Sequence, residues 1–375
     1  MSEALDQSLW RIAWHRLLRD RTAVAGMIVI LGAVLVALCG RWIRPDSTAW
    51  ANQQILGVRD LPPGSRLVLF NGPLGEGIVP AYTMEQDGDE LVIEEFNGHN
   101  ELVPGRVHRI PTAVFGPSGS EGHRAAPWSA FVKEQRAWLG TDNLGRDVLS
   151  RLMAGTSISL SVGLIAVLIS LVIGIPLGAL AGYFRAEAPA FRLFGRRWRW
   201  PVDDTIMWLV NVVWSIPTLL LVIAITLALG KGFVQVFIAV GLTMWVEVAR
   251  IVRGEVVRVR ALEYVEAARA LGYGHGRIIL RHILPNILGP VIVVSAANFA
   301  TAILMEAGLS FLGIGAQPPM VSWGSMIRSY YPYITTELWH LALLPGVCIM
   351  LLTLAFMLVG NGLRDALDTR SITAR

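Results

Sequence analysis

His99, His108 and His123, with the adjacent carboxylates Glu94 and Glu95, are the side chains whose types would suit a divalent cation. A metal site needs ligand spacings that converge on one point, and these match no such pattern. Ser157, Ser159 and Ser161 stripe one helix face, but a nucleophilic hydroxyl needs a neighbouring base and none accompanies them. They read as packing or pathway residues. Cys39 and Cys348 lie inside apolar segments, which leaves neither a disulfide framework nor a thiolate metal site. The phosphate-binding pattern G-x-x-x-x-G-K-S/T is absent, since Gly272 to Gly276 lacks the Lys-Ser/Thr ending. Nucleotide-driven chemistry would therefore need another chain.

Composition moves the question from chemistry to transport. The chain has 375 residues, 54% of them hydrophobic and only 16% charged. Its mean hydropathy is +0.53, and a water-facing surface would require more charge. The net charge of +4 sits beside apolar segments rather than in one soluble patch, so it marks membrane flanks and not nucleic-acid binding.

Six apolar segments are long enough to cross a bilayer core of about 30 Å: 22–40, 156–182, 205–229, 233–251, 287–307 and 339–363. Lipid offers the backbone no hydrogen-bond partners, so each should be a helix. The expected fold class is an all-α polytopic membrane protein of about six transmembrane helices. A small extracytoplasmic insertion lies between the first and second, with strand-like runs at 66–70, 91–96 and 107–115; a disordered loop is the competing reading. The expected organisation is an amphipathic segment 1–21, a first span 22–42 and an insertion 43–155. A five-helix core 156–363 follows, with a loop 262–286 and a tail 364–375.

Orientation follows from arginine. The side holding both termini and the loops 183–204 and 252–286 carries 18 Lys and Arg, whereas the short opposite loops carry Lys231 and Arg328. The positive-inside rule places both termini in the cytoplasm. Ahead of the first span, Leu9, Trp10, Ala13, Trp14, Leu17 and Leu18 share one helical face opposite Arg11, His15, Arg16 and Arg19. Such a helix lies on the inner membrane surface or packs on the protein's own loops. Gly174, Gly178 and Gly182 let another helix approach closely, at a subunit seam or within this chain, and Pro176 should bend the same helix.

An ion-coupled transporter or channel is the alternative. It would place ionisable groups near the bilayer midplane, whereas Glu247 and Glu306 fall near span ends. Glu247 has Arg250 and Arg253 as candidate partners, and Glu306 could anchor an external turn. Ser295, Asn298 and Thr301, roughly on one face of the fifth span, could line a pathway or bond between helices.

The loop LEYVEAARALGYGHGRIILRHILPN, residues 262–286, reads as two short helices around a glycine turn. Gly272 ends the first, and Pro285 breaks the pattern after Arg277 to Ile283. Physics leaves a docking surface and an ordinary solvated loop both open. Glu266, Ala267 and Ala268, followed by Gly272 and then Leu284-Pro285, resemble the coupling-loop signature of ATP-binding cassette importer membrane subunits. His282 departs from that pattern, which carries an apolar residue there. Trp138-Leu-Gly-Thr-Asp-Asn-Leu-Gly-Arg-Asp-Val-Leu-Ser-Arg151, Leu309 to Pro319 and Ser322-Trp-Gly324 are similar to the C-type permease subunit of dipeptide, oligopeptide and nickel importers. The resemblance covers 1–42 and 138–375.

It implies a non-enzymatic bacterial inner-membrane subunit that forms half of a translocation pathway for peptides or similar solutes. It also implies a second permease subunit, ABC ATPase subunits carrying ATP and Mg, and an extracytoplasmic substrate-binding protein, with no cofactor on this chain. Glu266, Ala267, Ala268, Gly272, Leu284 and Pro285 are then the ATPase-coupling residues.

Overall fold

A computed structural model describes residue 11 and residues 13–367, except 73–76, 99–104, 116–127, 186–189, 194–195, 200 and 231. Leu9, Trp10, His99, His123, Lys231, the end of the tail and the side chains over 190–199 lie outside the described part of the structure.

Five described helices are long and apolar enough to cross a membrane. They are α1 (Arg21–Ile43), α2 (Val148–Tyr183), a helix over Phe233–Val259, the stretch His275–Phe311, and a helix over His340–Leu367. The expected third span is instead two helices, α3 (Val202–Trp214) and α4 (Thr218–Leu229), set at 89° to one another. Pro217 explains the break: it lacks an amide donor and pushes the preceding Ile216 out of helical geometry. Counting the pair as one span gives six.

The helix Phe233–Val259 (α5) packs along α2. Gly174, Gly178 and Gly182 form the seam within this chain. A Cβ at Gly174 would come within 2.6 Å of the Val248 Cβ, and one at Gly182 within 2.7 Å of the Arg253 carbonyl. Pro176 sits inside the unbroken α2. The Ser157 hydroxyl donates to the Ala37 carbonyl at 3.1 Å, tying α2 to α1, and Ser161 donates to Ser157 on its own helix. Residues 13–19 are helical, and the Asp20 side chain then caps α1 by accepting from the Thr22 amide at 2.9 Å. Ala13 and Leu17 are buried against Ala23 and Ala366, while Trp14 and Leu18 stay exposed. The segment thus presents one edge to the protein's own helices and one outward.

The expected strands form an antiparallel sheet of five. β1 (Ser65–Phe70), β2 (Val79–Asp87), β3 (Glu90–Glu95), β4 (Val107–Pro111) and β5 (Val132–Ala137) are ordered β4-β3-β2-β1-β5. Alternation along β1 serves two small cores. Leu67 and Leu69 join Ile55, Val58, Leu61 and Ala137, whereas Phe70 joins Val79, Leu91, Ile93 and Ile110. β2 and β5 escaped the sequence reading because each is largely polar and exposed over part of its length. Ser65 pairs with Ala137, so the sheet leaves and rejoins the chain at neighbouring points. A two-stranded hairpin, β6 (Ala190–Leu193) and β7 (Arg196–Arg199), follows α2.

After α5 come α6 (Glu263–Ala270) and α7 (His275–Ile278). The path continues through a π-helical turn (Ile279–Ile283) and a 3₁₀ turn (Leu284–Ile287) into α8 (Leu288–Phe311). Pro285 therefore does not end a helix. The widened π turn ahead of it and its place at the start of a 3₁₀ turn accommodate the missing donor and the ring. α9 (Trp323–Tyr330) and α10 (His340–Leu367) complete the chain. α9 opens with a capping box between Ser322 and Ser325 and buries Trp323, Met326 and Tyr330 on one face.

Candidate functional site

The hairpin between α5 and α8 has distinct inner and outer faces. Val265 and Ala268 are buried from α6, and Ile278, Ile279, Ile283 and Ile287 from the return path. They join Val252, Val256 and Val259 of α5 and Tyr183 of α2 in one apolar cluster. Glu266, Ala267, Gly272 and Pro285 are exposed, and Leu284 is half-buried against the cluster. Of the six coupling candidates, Ala268 therefore holds the hairpin down, and the four exposed ones are offered outward. Glu263 and Glu266 in the first turn of α6, and Arg269 in the last, complement its dipole.

Gly272 is required by backbone conformation rather than by space. Its φ is +78°, and a Cβ there would meet nothing within 4 Å. Its amide donates to the Arg269 carbonyl at 2.9 Å and the Tyr273 amide to the Ala268 carbonyl at 3.2 Å, closing the end of α6. Beyond it, His282 stacks on Tyr273 with ring centroids 5.8 Å apart, and the Arg277 guanidinium lies 4.4 Å over the same tyrosine ring. The His282 carbonyl accepts from Tyr264 at 3.3 Å and from the Asn286 amide at 2.8 Å. Burial pushes the Tyr264 phenol up, which keeps it a donor. His282, where the pattern carries an apolar residue, thus stacks on Tyr273 while its Nε2 is buried without a hydrogen-bond partner among the described residues.

The hairpin is tied to the end of α2. Tyr183 and His275 lie 3.0 Å apart, hydroxyl to Nδ1, and their rings meet edge-on together with Phe184. Arg269 sits 5.2 Å over the Tyr183 ring, and Arg260 donates to the Tyr183 carbonyl. The hairpin therefore contacts α2 through aromatic and guanidinium groups and α5 through the shared apolar cluster.

Two outward leucines were missed by the sequence reading. Leu271 and Leu280 are 72% and 67% exposed on either side of the turn. Large apolar side chains flanking charged ones suit the centre of a protein contact. Leu271 adjoins the glycine turn, whereas Leu280 lies within the second helical run directly after the buried Ile278 and Ile279.

Ser295, Asn298 and Thr301 do not share one environment. Ser295 is half-buried and bonds the Val291 carbonyl at 2.7 Å, and Thr301 is exposed and bonds the Ala297 carbonyl at 3.1 Å. Asn298 is 1% exposed, and its Nδ2 has no partner in the described structure. Glu247 is exposed; Arg253 instead pairs with Asp203 at 2.5 Å, and Arg250 stacks 3.4 Å over Trp214. Glu306 is buried near the far end of α8. It accepts from the Ser310 hydroxyl, whose oxygen in turn accepts from the Ala316 amide at 3.0 Å, so it does anchor the following turn. His108 lies 3.5 Å from Glu95.

At the end away from the hairpin, a charged network fixes the start of α2. The Asp142 carboxylate is fully buried and accepts from the Arg146 guanidinium at 2.8 Å, from the Tyr330 hydroxyl at 2.8 Å and from the amides of Leu144 and Arg146. Arg151 donates to the Tyr330 oxygen at 3.0 Å. The Trp323 indole donates to the Leu152 carbonyl at 3.0 Å. Tyr330 was not foreseen, because nothing in its local sequence separates it from the tyrosines beside it.

Residues 174–373 match the family described as binding-protein-dependent transport system inner membrane component. Residues 8–63 match the N-terminal transmembrane domain of oligopeptide transport permease C. The chain is 40% identical over 233 residues to a glutathione transport system permease protein, GsiD, of Pectobacterium atrosepticum, covering 62% of this chain and 72% of that one. It is 41% identical, with the same coverage, to a dipeptide transport system permease protein, DppC, of Alkalihalophilus pseudofirmus. An oligopeptide permease, OppC, of Bacillus subtilis is 38% identical over 234 residues, covering 62% and 72%. Among solved structures, an inward-facing MetNI methionine ABC transporter chain aligns at 19% identity with a TM-score of 0.47, over 58% of this chain and 95% of that one. With a family match over more than half its length, joined to an intact hairpin and a helical core, the chain belongs to the binding-protein-dependent transport system inner membrane components.

Proposed function

We propose that this chain is a membrane-spanning permease subunit of an ATP-binding cassette importer, forming half of the translocation pathway for peptides or similar small solutes. The observation that carries the reading is the hairpin: an outward face of Glu266, Ala267, Gly272, Leu271 and Leu280 on a body locked to α2 and α5. A separate ATPase, holding ATP and Mg, grips that face. A second permease supplies the other half of the pathway, and a binding protein delivers solute from the opposite side. ATP binding and hydrolysis favour different arrangements of the helices, a two-state equilibrium shifted by differential affinity. The glutathione, dipeptide and oligopeptide systems named among the relatives support the solute class. Both termini lie in the cytoplasm of a bacterial inner membrane, a reading that the arginine distribution supports. The segment Ser295, Asn298 and Thr301 contributes to the pathway once the partner subunit is in place.

The test is reconstitution with a candidate ATP-binding cassette ATPase subunit. We expect co-purification, and ATP-dependent uptake that stops when the ATPase is omitted. Uptake that persists without the ATPase and collapses with an uncoupler would instead establish an ion-coupled carrier.

A further inference from the structure

The length of α1 fixes where the membrane boundary falls. Its 23 residues are about 35 Å long at 1.5 Å per residue, close to a hydrocarbon core of about 30 Å. Ile28, Leu31, Leu35 and Leu38 are exposed along it, so one side of this span is offered to lipid. Trp42, 81% exposed, stands at its far end, and indoles settle at the headgroup level. Arg21, at the near end, then marks the opposite headgroup level.

The chain turns just ahead of that point. Asp20 is extended, with φ −79° and ψ 109°, and its carboxylate accepts from the Thr22 amide at 2.9 Å and the Thr22 hydroxyl at 2.7 Å. An extended cap between two helical runs ends their common axis, so the helical segment 13–19 leaves the line of α1. Packing sets how the segment lies. A Cβ at Gly362 of α10 would come within 2.5 Å of the Ala23 Cβ and 3.2 Å of Leu17 Cδ1, so the segment, α1 and α10 meet tightly there. Ala13 and Leu17 are buried at this joint. Helical geometry then places Trp14 and Leu18 beside the buried pair, and Arg11, His15 and Arg19, four residues apart, beyond them. All five are exposed.

Around the segment the order is therefore protein, apolar edge, basic edge. At the boundary that α1 defines, those edges match a bilayer surface: large apolar groups suit the upper acyl chains, and guanidinium groups suit phosphate. The one carboxylate at the corner, Asp20, is engaged by Thr22, whereas Arg11, Arg19 and Arg21 are all exposed. That excess of positive charge favours an anionic surface.

We propose that this corner is a binding site for anionic phospholipid, with Arg11, Arg19 and Arg21 receiving the headgroup phosphates and Trp14 and Leu18 seated in the acyl boundary. The proposal needs only that α1 crosses the bilayer, so it stands apart from the importer reading.

The experiment uses the full-length chain with Cys39→Ser and Cys348→Ser, and with Leu18→Cys carrying a polarity-sensitive fluorophore. The protein is placed in phosphatidylcholine nanodiscs into which phosphatidylglycerol is titrated, and the neutral quencher acrylamide reads water access to the label. We expect phosphatidylglycerol to protect the label saturably. Arg11→Gln and Arg19→Gln should each raise the half-saturating fraction by about fivefold, the worth of one basic residue near an anionic surface. Arg11→Lys and Arg19→Lys keep the charge and should retain most of the response. Trp14→Ala should leave the label open to acrylamide in either lipid. A label equally protected in phosphatidylcholine alone, a label open in both lipids, or Gln variants that respond like the parent would overturn the proposal. Protection that appears only when a candidate ATPase subunit is added, whatever the lipid, would overturn it too and make this edge a protein contact.

Discussion

At the scale of single residues, Asp142 concentrates the risk. A fully buried carboxylate satisfied by Arg146, Tyr330 and two amides is stable only as a complete set. Asp142→Ala leaves Arg146 and Arg151 without their shared anion and should cost about 3–5 kcal/mol, read as a loss of melting temperature and yield. Tyr330→Phe deletes a hydroxyl that both accepts from Arg151 and donates to Asp142, and should cost about 1–3 kcal/mol. Asp147, which caps α2 through Ser150 at 2.8 Å, behaves differently. Burial raises its carboxyl above the ordinary range against the opposing Ser150 hydrogen bonds. The folded group therefore keeps a proton that the unfolded chain has already lost. Stability falls as pH rises from about 4, the ordinary carboxylate value, towards the raised value, and stays lower above it. Asp147→Asn keeps the cap and should flatten that acid-side slope in melting curves taken across pH.

At the scale of elements, two glycines have opposite reasons to exist. Gly178 is a matter of space: a Cβ would collide with the Ala249 carbonyl and the Val252 side chain across the α2–α5 seam. Gly178→Val should cost about 1–3 kcal/mol through overpacking, seen as a lower melting temperature. Gly272 is a matter of dihedral angle, with open space around it. Gly272→Val should leave insertion and helix content intact while uncoupling ATP hydrolysis from uptake, because the hairpin then ends α6 in a different direction. Gly272→Asn, which tolerates the left-handed region, should retain much of the coupling. Equal uptake by the Val variant and the parent would count against the hairpin as the mechanical link.

At the scale of the molecule, the sheet is a separable addition. β1 begins where β5 ends, at the Ser65–Ala137 pair, so residues 65–137 can be replaced by a short Gly-Ser link without stretching the chain. The shortened protein should insert, fold its helical core and still co-purify with the ATPase. Loss of that association would mean that the sheet supports the helical core.

The sequence by itself determined the membrane class, five continuous spans, the strand character of the insertion and the position of the hairpin. Each rests on local information: apolar length, alternation, arginine placement and a glycine between two helical runs. Tertiary structure alone decided the rest. It set the 89° angle that α4 takes to α3 after the local break at Pro217, and it carried the helical path through Pro285 with a π turn. It sent Ala268 inward and Leu271 outward, and it closed Asp142 onto Tyr330 across 188 positions. These outcomes depend on which surfaces meet, and a side chain's partners are set by packing between distant segments that periodicity along one segment does not encode.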